Sequence, residues 1–157
     1  MEKTFGEKAI VLDNHKMGND KKSRTEAAKM INDIIKNHEF AEGEKLNIVA
    51  HSHGGNAVFE ATKSGMDRQI DNLVTLGTPI RNDYIPNFSM VNNFLNVFSR
   101  NDRVQLLGSG LTLGARRMFN NPNVRNLDAT HAGSPGHSDL WRKTNTWIEI
   151  VEPKLKK

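Results

Sequence analysis

Apolar positions along the chain fall into short runs separated by polar stretches, and the runs alternate between a strand-like and a helix-like period. Lys8 to Asp13 (Lys-Ala-Ile-Val-Leu-Asp) is a short apolar run that ends in a polar loop, Asn14 to Lys22, which is the pattern of a buried strand. A helix is predicted next. Ser23 and Glu26 have capping-box spacing, and Ala27, Ala28, Ile31, Ile34 and Ile35 recur at helical intervals as far as Phe40. Gly43 and the charges around it make a turn, and Leu46-Asn47-Ile48-Val49-Ala50 reads as a second buried strand. Beyond Gly55, Ala57, Val58 and Ala61 form a helical stripe that stops near Ser64-Gly65. Ile70 to Leu76, closed by Gly77-Thr78-Pro79, is a third strand, and Phe94 to Ser99 is a fourth. From Leu106 to Ser134 there is little period, so a long loop with at most a short helical or strand insert is expected. A last helix follows His137, with Leu140, Trp141, Thr144, Trp147, Ile148 and Val151 on one face. Strand and helix in alternation predict an α/β fold, a mostly parallel sheet with helices on both faces.

Composition narrows the class. At 157 residues, with 36% hydrophobic and 25% charged residues, the chain has the size and make-up of one globular domain spanning residues 1–157. Cysteine is absent, so thiol nucleophiles, thiolate metal sites and disulfides are excluded, and any nucleophile is an oxygen or an amine. Met1 to Gly6 has no apolar run of signal-peptide length, and no apolar stretch approaches a membrane span, so location stays unassigned between cytoplasm and export as part of a larger protein. The net charge of +4 fits anionic partners such as phospholipid headgroups, and transient contact with a membrane surface is compatible with it. Lys and Arg are nevertheless scattered apart from the terminal Lys154-Leu155-Lys156-Lys157, and there is no basic helix or aromatic platform of the kind that nucleic-acid binding uses. Oligomeric state is not encoded in any pattern found.

The chemistry concentrates in Ala50-His51-Ser52-His53-Gly54-Gly55. Ser52 stands where a predicted strand ends and a predicted helix begins, with small residues two positions before and after it. A sharp strand-to-helix turn of this kind lifts a serine hydroxyl above the sheet, and its small neighbours let the strained turn pack. The same turn puts the N–H groups of His53 and Gly54 at a helix N-terminus, ready to hold a developing oxyanion. Two plainer possibilities stand beside this one. A Gly-rich turn can serve only as structure, and His51-x-His53 can ligate metal, although Gly54, Gly55 and Asn56 stand where further ligands would be expected.

A serine nucleophile needs a histidine base, and the base needs a carboxylate to set its tautomer and stabilise its cation. With a nucleophile elbow the chain order is Ser, acid, His. Asp102, just past the fourth strand, is the expected acid, with Asp83 as the alternative; as an ordinary turn aspartate Asp102 would pair with Arg100 or Arg103. His137, in Ser134-Pro135-Gly136-His137-Ser138-Asp139-Leu140-Trp141, is the expected base and is preferred to His131, which reads as a surface loop residue. His15 and His38 precede the serine and read as exposed polar side chains. Between acid and base, Leu106, Leu107, Leu111, Leu113, Met118 and Phe119 give enough apolar surface to line an acyl pocket or a lid, or simply to complete the core. Leu111 and Leu113 are the expected substrate contacts.

Ile48 to Asn56, together with Leu76-Gly77-Thr78-Pro79, resembles the α/β-hydrolase superfamily, and within it the small bacterial lipase-like domains with a His-Ser-His-Gly-Gly-Asn elbow, some found at the C-terminal ends of Rhs-type toxins. The resemblance covers about Ile10 to Trp147; Ser99 to Gly108 looks like the acid loop of that group and His137 to Trp141 like its histidine turn. It implies a minimal α/β-hydrolase, a serine esterase or lipase (phospholipase included) acting on an ester or lipid substrate through an acyl-enzyme, with no metal or organic cofactor. Amidase, thioesterase and acyltransferase share the apparatus. One departure matters: the family's earlier strand, whose loop supplies a second oxyanion N–H, has no counterpart before Ile10. Either Asp13 to Gly18 does that work, or the chain is a fragment or minimal version, and a catalytically dead binding domain is the alternative.

Overall fold

The apolar runs near residues 48, 73 and 95 become neighbouring strands of one parallel sheet in a computed structural model of the chain, which describes residues 1–6, 8–12, 20–107, 115–132 and 136–155. The strands are β1 (Asn47–His51), β2 (Asn72–Leu76), β3 (Phe94–Phe98) and β4 (Val124–Asp128), in spatial order β1-β2-β3-β4. Every pairing is parallel. The helices are α1 (Glu2–Phe5), α2 (Lys21–Asn37), α3 (His53–Ala61), α4 (Arg103–Leu107) and α5 (Asp139–Arg142), followed by a π-helical turn, Thr146–Val151. The protein is thus a small α/β fold.

Strand order explains the layers. Each new strand is added on the same side of the last, and right-handed crossovers then carry all three connections over one face of the sheet. Their aromatic residues meet there: Phe59 from α3, Phe88 from the β2–β3 connection and Phe119 from the β3–β4 connection pack with Phe94, with ring centroids 5.1 to 6.0 Å apart for the three pairs that Phe119 makes. α2 lies outside α3 and adds Ala28 and Ile35 to this cluster. The opposite face is left to whatever follows β4, and Leu140, Trp147, Ile150 and Val151 cover Val74, Leu76, Leu95 and Val97.

Asparagine is depleted in strands, yet it forms cross-strand ladders here. Asn47 and Asn72 are register partners whose side chains bond at 2.7 Å, and Asn93 extends that row with another 2.7 Å bond. Thr75, Asn96 and Asn126 make a second row at 3.0 and 2.9 Å. A slip of one residue would leave the buried amides of Asn72, Asn93 and Asn96 without these partners, so the ladders specify register as well as contributing hydrogen bonds.

Three expectations are corrected. Residues 8 to 12 form no strand: Ile10 and Val11 are 66% and 83% exposed, because four apolar residues in a row define a strand only where a sheet edge accepts them. Asp20, not Ser23, caps α2, its carboxylate accepting from the Ser23 amide at 2.8 Å. The last helix is broken at Lys143, which is extended, and the π turn resets the phase; Trp141 and Ile148 face outward while Leu140 and Val151 are buried. The weakly periodic stretch from Leu106 to Ser134 holds the last turn of α4 and one short strand insert, β4, among its described residues. β4 leaves only a weak apolar pattern because its inward Asn126 bonds to Asn96 instead of presenting an apolar side chain.

Candidate active site

All four strands end at one edge of the sheet, the edge where ligands bind in open parallel sheets. Ser52 follows β1 directly and begins α3, at φ 54 and ψ −130. It is the one non-glycine residue with positive φ among the described residues. Such backbone costs about 1 to 3 kcal/mol and persists only where its surroundings hold it. Here the Ser52 amide donates to the Leu76 carbonyl at 2.9 Å, and its carbonyl accepts from the Gly55 amide at 3.0 Å. The small neighbours do their part unequally. A Cβ on Gly54 would sit 4.0 Å from the Ala50 Cβ, so alanine at position 50 fits without strain, whereas a Cβ on Gly55 would meet Thr78 Oγ1 at 2.1 Å. Gly55 is therefore what lets α3 approach the turn after β2.

Asp102 stands just before α4 with its carboxylate buried. Oδ1 accepts from the Gln105 amide at 2.9 Å, an N-cap contact that orients the group, and Oδ2 is left for another donor. Gln105 in turn donates through Nε2 to the Thr78 carbonyl at 2.7 Å, and Arg117 Nη2 donates to the Asp102 carbonyl at 2.9 Å, so the Asp102 loop is tied to the β2–β3 connection and to the later part of its own. His137 enters from the turn before α5. Its Nδ1 is 2.7 Å from Asp102 Oδ2 and its Nε2 is 2.9 Å from Ser52 Oγ. Because a carboxylate only accepts, Nδ1 carries the proton and Nε2 is free to accept from the serine hydroxyl. Serine, histidine and aspartate, joined by bonds that span 85 and 35 residues of sequence, thus form one continuous hydrogen-bonded chain.

Gly77 completes the arrangement, and no role was assigned to it from the sequence. At φ 61 it turns the chain after β2, and a Cβ there would lie 3.0 Å from Asp102 Oδ2 and 3.2 Å from His137 Nδ1. Its presence in Leu76-Gly77-Thr78-Pro79 was the available signal. Gln105 and Arg117 carry no signal in the sequence, and His51 reads there only as a possible metal ligand; the contacts these three make depend on chain segments apart in sequence. Burial holds the imidazoles of His51 and His53 below the ordinary histidine range, and the charges of Arg24 and His137 add to the effect at His53.

The remaining candidates divide clearly. The amides of His53 and Gly54 open α3, where helix N–H groups have no intrahelical acceptor. Asp83 is exposed and paired with Arg81 at 3.3 Å in the wall of a polar cavity of about 290 Å³ that Asn82 and Arg116 complete, so it serves no histidine. His131 is exposed. His38 contacts Glu44 at 2.7 Å. Phe119 is core, not lid, and Leu107 and Met118 are exposed. Leu111, Leu113, His15 and the Asp13 to Gly18 loop lie outside the described residues. Among the described residues no group of three or more His, Asp or Glu is placed to hold a metal ion. Comparison with protein families, with curated proteins and with solved structures found no match to this chain.

Proposed function

We propose that this protein is a serine hydrolase of the α/β-hydrolase type that cleaves carboxylic esters, as an esterase or lipase. The observation that carries the proposal is the chain Ser52 Oγ to His137 Nε2 to Asp102 Oδ2, at 2.9 and 2.7 Å, on a strained serine at a sheet's carboxyl edge. His137 takes the Ser52 proton as Oγ attacks the ester carbonyl, and Asp102 holds the tautomer and stabilises the imidazolium that forms. The His53 amide, with Gly54 beside it, donates to the oxyanion. The tetrahedral adduct collapses as His137 gives its proton to the departing alcohol. Water then repeats the sequence on the acyl-enzyme, with His137 as its base, and releases the acid and free serine.

The test is covalent labelling by a fluorophosphonate together with turnover of p-nitrophenyl esters of graded chain length. Ser52→Ala should abolish labelling and lower turnover by several orders of magnitude, with about 10⁶-fold as the upper precedent. His137→Ala should lose nearly as much, because the members of such a chain act as a unit, while His131→Ala keeps its activity. Hydrolysis that survives in clean Ser52→Ala, or a wild type that is neither labelled nor active, refutes the proposal and leaves a binding domain as the better account.

A further inference from the structure

The base of the proposed triad rests on little local structure. Its turn leads into α5, which is four residues long, and the next residue, Lys143, is already extended. Helices this short have no stability of their own. Asp102 and Ser52 hold the ring of His137, but ring contacts alone leave the backbone free to carry the imidazole away from the serine. A second anchor is present at the other end of the residue. The His137 carbonyl accepts a hydrogen bond from His51 Nε2 at 3.0 Å, across 86 residues of sequence.

His51 suits that position for three reasons that follow from the fold. It is the last residue of β1 and lies next to Ser52, so anything it holds is held relative to the nucleophile. By strand alternation it shares the face of Val49, which is the face that α5 covers. Its ring lies 4.6 Å from the His137 ring and 5.9 Å from Trp141, so it is packed as well as bonded. A carbonyl oxygen can only accept, so His51 must carry its proton on Nε2. Burial favours its neutral form, which places no second cation beside His137 when that ring becomes charged.

We infer that His51 is a positioning residue: through its Nε2–H it clamps the His137 backbone to the end of β1 and so sets the distance between base and nucleophile. The inference builds on the proposed hydrolase activity, but the clamp itself is a matter of geometry and can be observed without turnover. It also gives the histidine before the serine a task that neither metal ligation nor the oxyanion requires.

The test uses the full chain with ¹⁵N-labelled histidine. Imidazole nitrogen shifts of the wild type should report His51 as the neutral Nε2–H tautomer. A far-downfield proton should report the His137 Nδ1 bond to Asp102, assigned by its loss in His137→Gln. His51→Phe keeps the ring packing and removes the donor. It should broaden or abolish the downfield signal and lower kcat for a p-nitrophenyl ester about 10- to 100-fold, the range expected for a misplaced base, with KM changed by less than about three-fold. His51→Gln, whose amide can place a donor near the Nε2 position, should restore the signal and most of the rate. A wild-type His51 protonated on Nδ1 alone overturns the inference with no variant needed, and so does a His51→Phe protein whose downfield proton is unchanged. If the tautomer and the signal behave as described while the wild type neither reacts with the fluorophosphonate nor turns over esters, the clamp stands and the hydrolase proposal falls.

Discussion

Gly77→Ala adds one methyl group at the point where Asp102, His137 and the core converge, and two separate costs can be assigned to it. The first is conformational: Gly77 sits at φ 61, and an L residue held in left-handed backbone costs about 1 to 2 kcal/mol. Gly43, at φ 77 with nothing within 4 Å of an added methyl, would incur the same cost alone, which makes Gly43→Ala the internal control. The second cost is steric. The new Cβ would lie 3.0 Å from Asp102 Oδ2, 3.1 Å from Leu140 Cδ1 and 3.2 Å from His137 Nδ1, all inside ordinary contact. Asp102 and Leu140 are buried and cannot withdraw to solvent, so relief must come from separating the carboxylate and imidazole that now sit 2.7 Å apart. Overpacking of this kind costs about 1 to 3 kcal/mol. Gly43→Ala should therefore lose about 1 to 2 kcal/mol and Gly77→Ala about 2 to 5 kcal/mol in urea denaturation. Under the proposed function, ester turnover per folded molecule should fall about 100-fold in Gly77→Ala, as for a small displacement of a reacting group, and stay at the wild-type level in Gly43→Ala. Equal turnover in the two variants would refute the reasoning, since the methyl would then have been absorbed without moving the acid and base.

Two further outcomes follow from the same contacts. Gly55→Ala drives a Cβ to 2.1 Å from Thr78 Oγ1 and 2.6 Å from its Cγ2, with Thr78 fully buried; it should cost more than about 3 kcal/mol, and Thr78→Gly in the same chain should recover over half of the loss. A neutral single variant, measured by thermal denaturation, would mean that α3 does not approach the β2 turn so closely. His51 and His53 are held below the ordinary histidine range, so in that window the unfolded chain binds more protons than the folded one and stability rises with pH. The urea midpoint should accordingly fall as pH drops through about 6.5, the unfolded histidine value, and His53→Gln should flatten that slope; a midpoint that rises on acidification contradicts the assignment.

Local pattern determined a good deal of this protein. The β1, β2 and β3 runs announce themselves because buried parallel strands must be apolar on both faces, and α2 and α3 because each has one face to bury. The elbow is legible for a related reason: a hydroxyl raised on a sharp strand-to-helix turn needs small residues around it, and Ala50-His51-Ser52-His53-Gly54 is the resulting local signature. Chain order put the acid and base after Ser52, the place of Asp102 just past a strand favoured it over Asp83, and the tight turn entering a helix favoured His137 over His131; the structure places His137 against Ser52 and Asp102 against His137.

Tertiary structure decided what no window of sequence contains. The run at Ile10 looks like a strand, but strand formation requires a partner edge, and Ile10 and Val11 are left exposed. β4 leaves only a weak apolar pattern because its sheet-facing asparagine is satisfied by a neighbour 30 residues away, and burial of a paired amide leaves no hydrophobic trace. The last helix kept a 3.6-residue pattern through Trp141 and Ile148, yet its break at Lys143 rotated both outward. In the site, the serine's turn is a local matter, while the alignment of its base is not. That alignment depends on His51 reaching the His137 carbonyl, on Gln105 tying the Asp102 loop to the Thr78 carbonyl, and on the empty space at Gly77, three contacts between segments that meet only because parallel strands bring all their carboxyl ends to one edge.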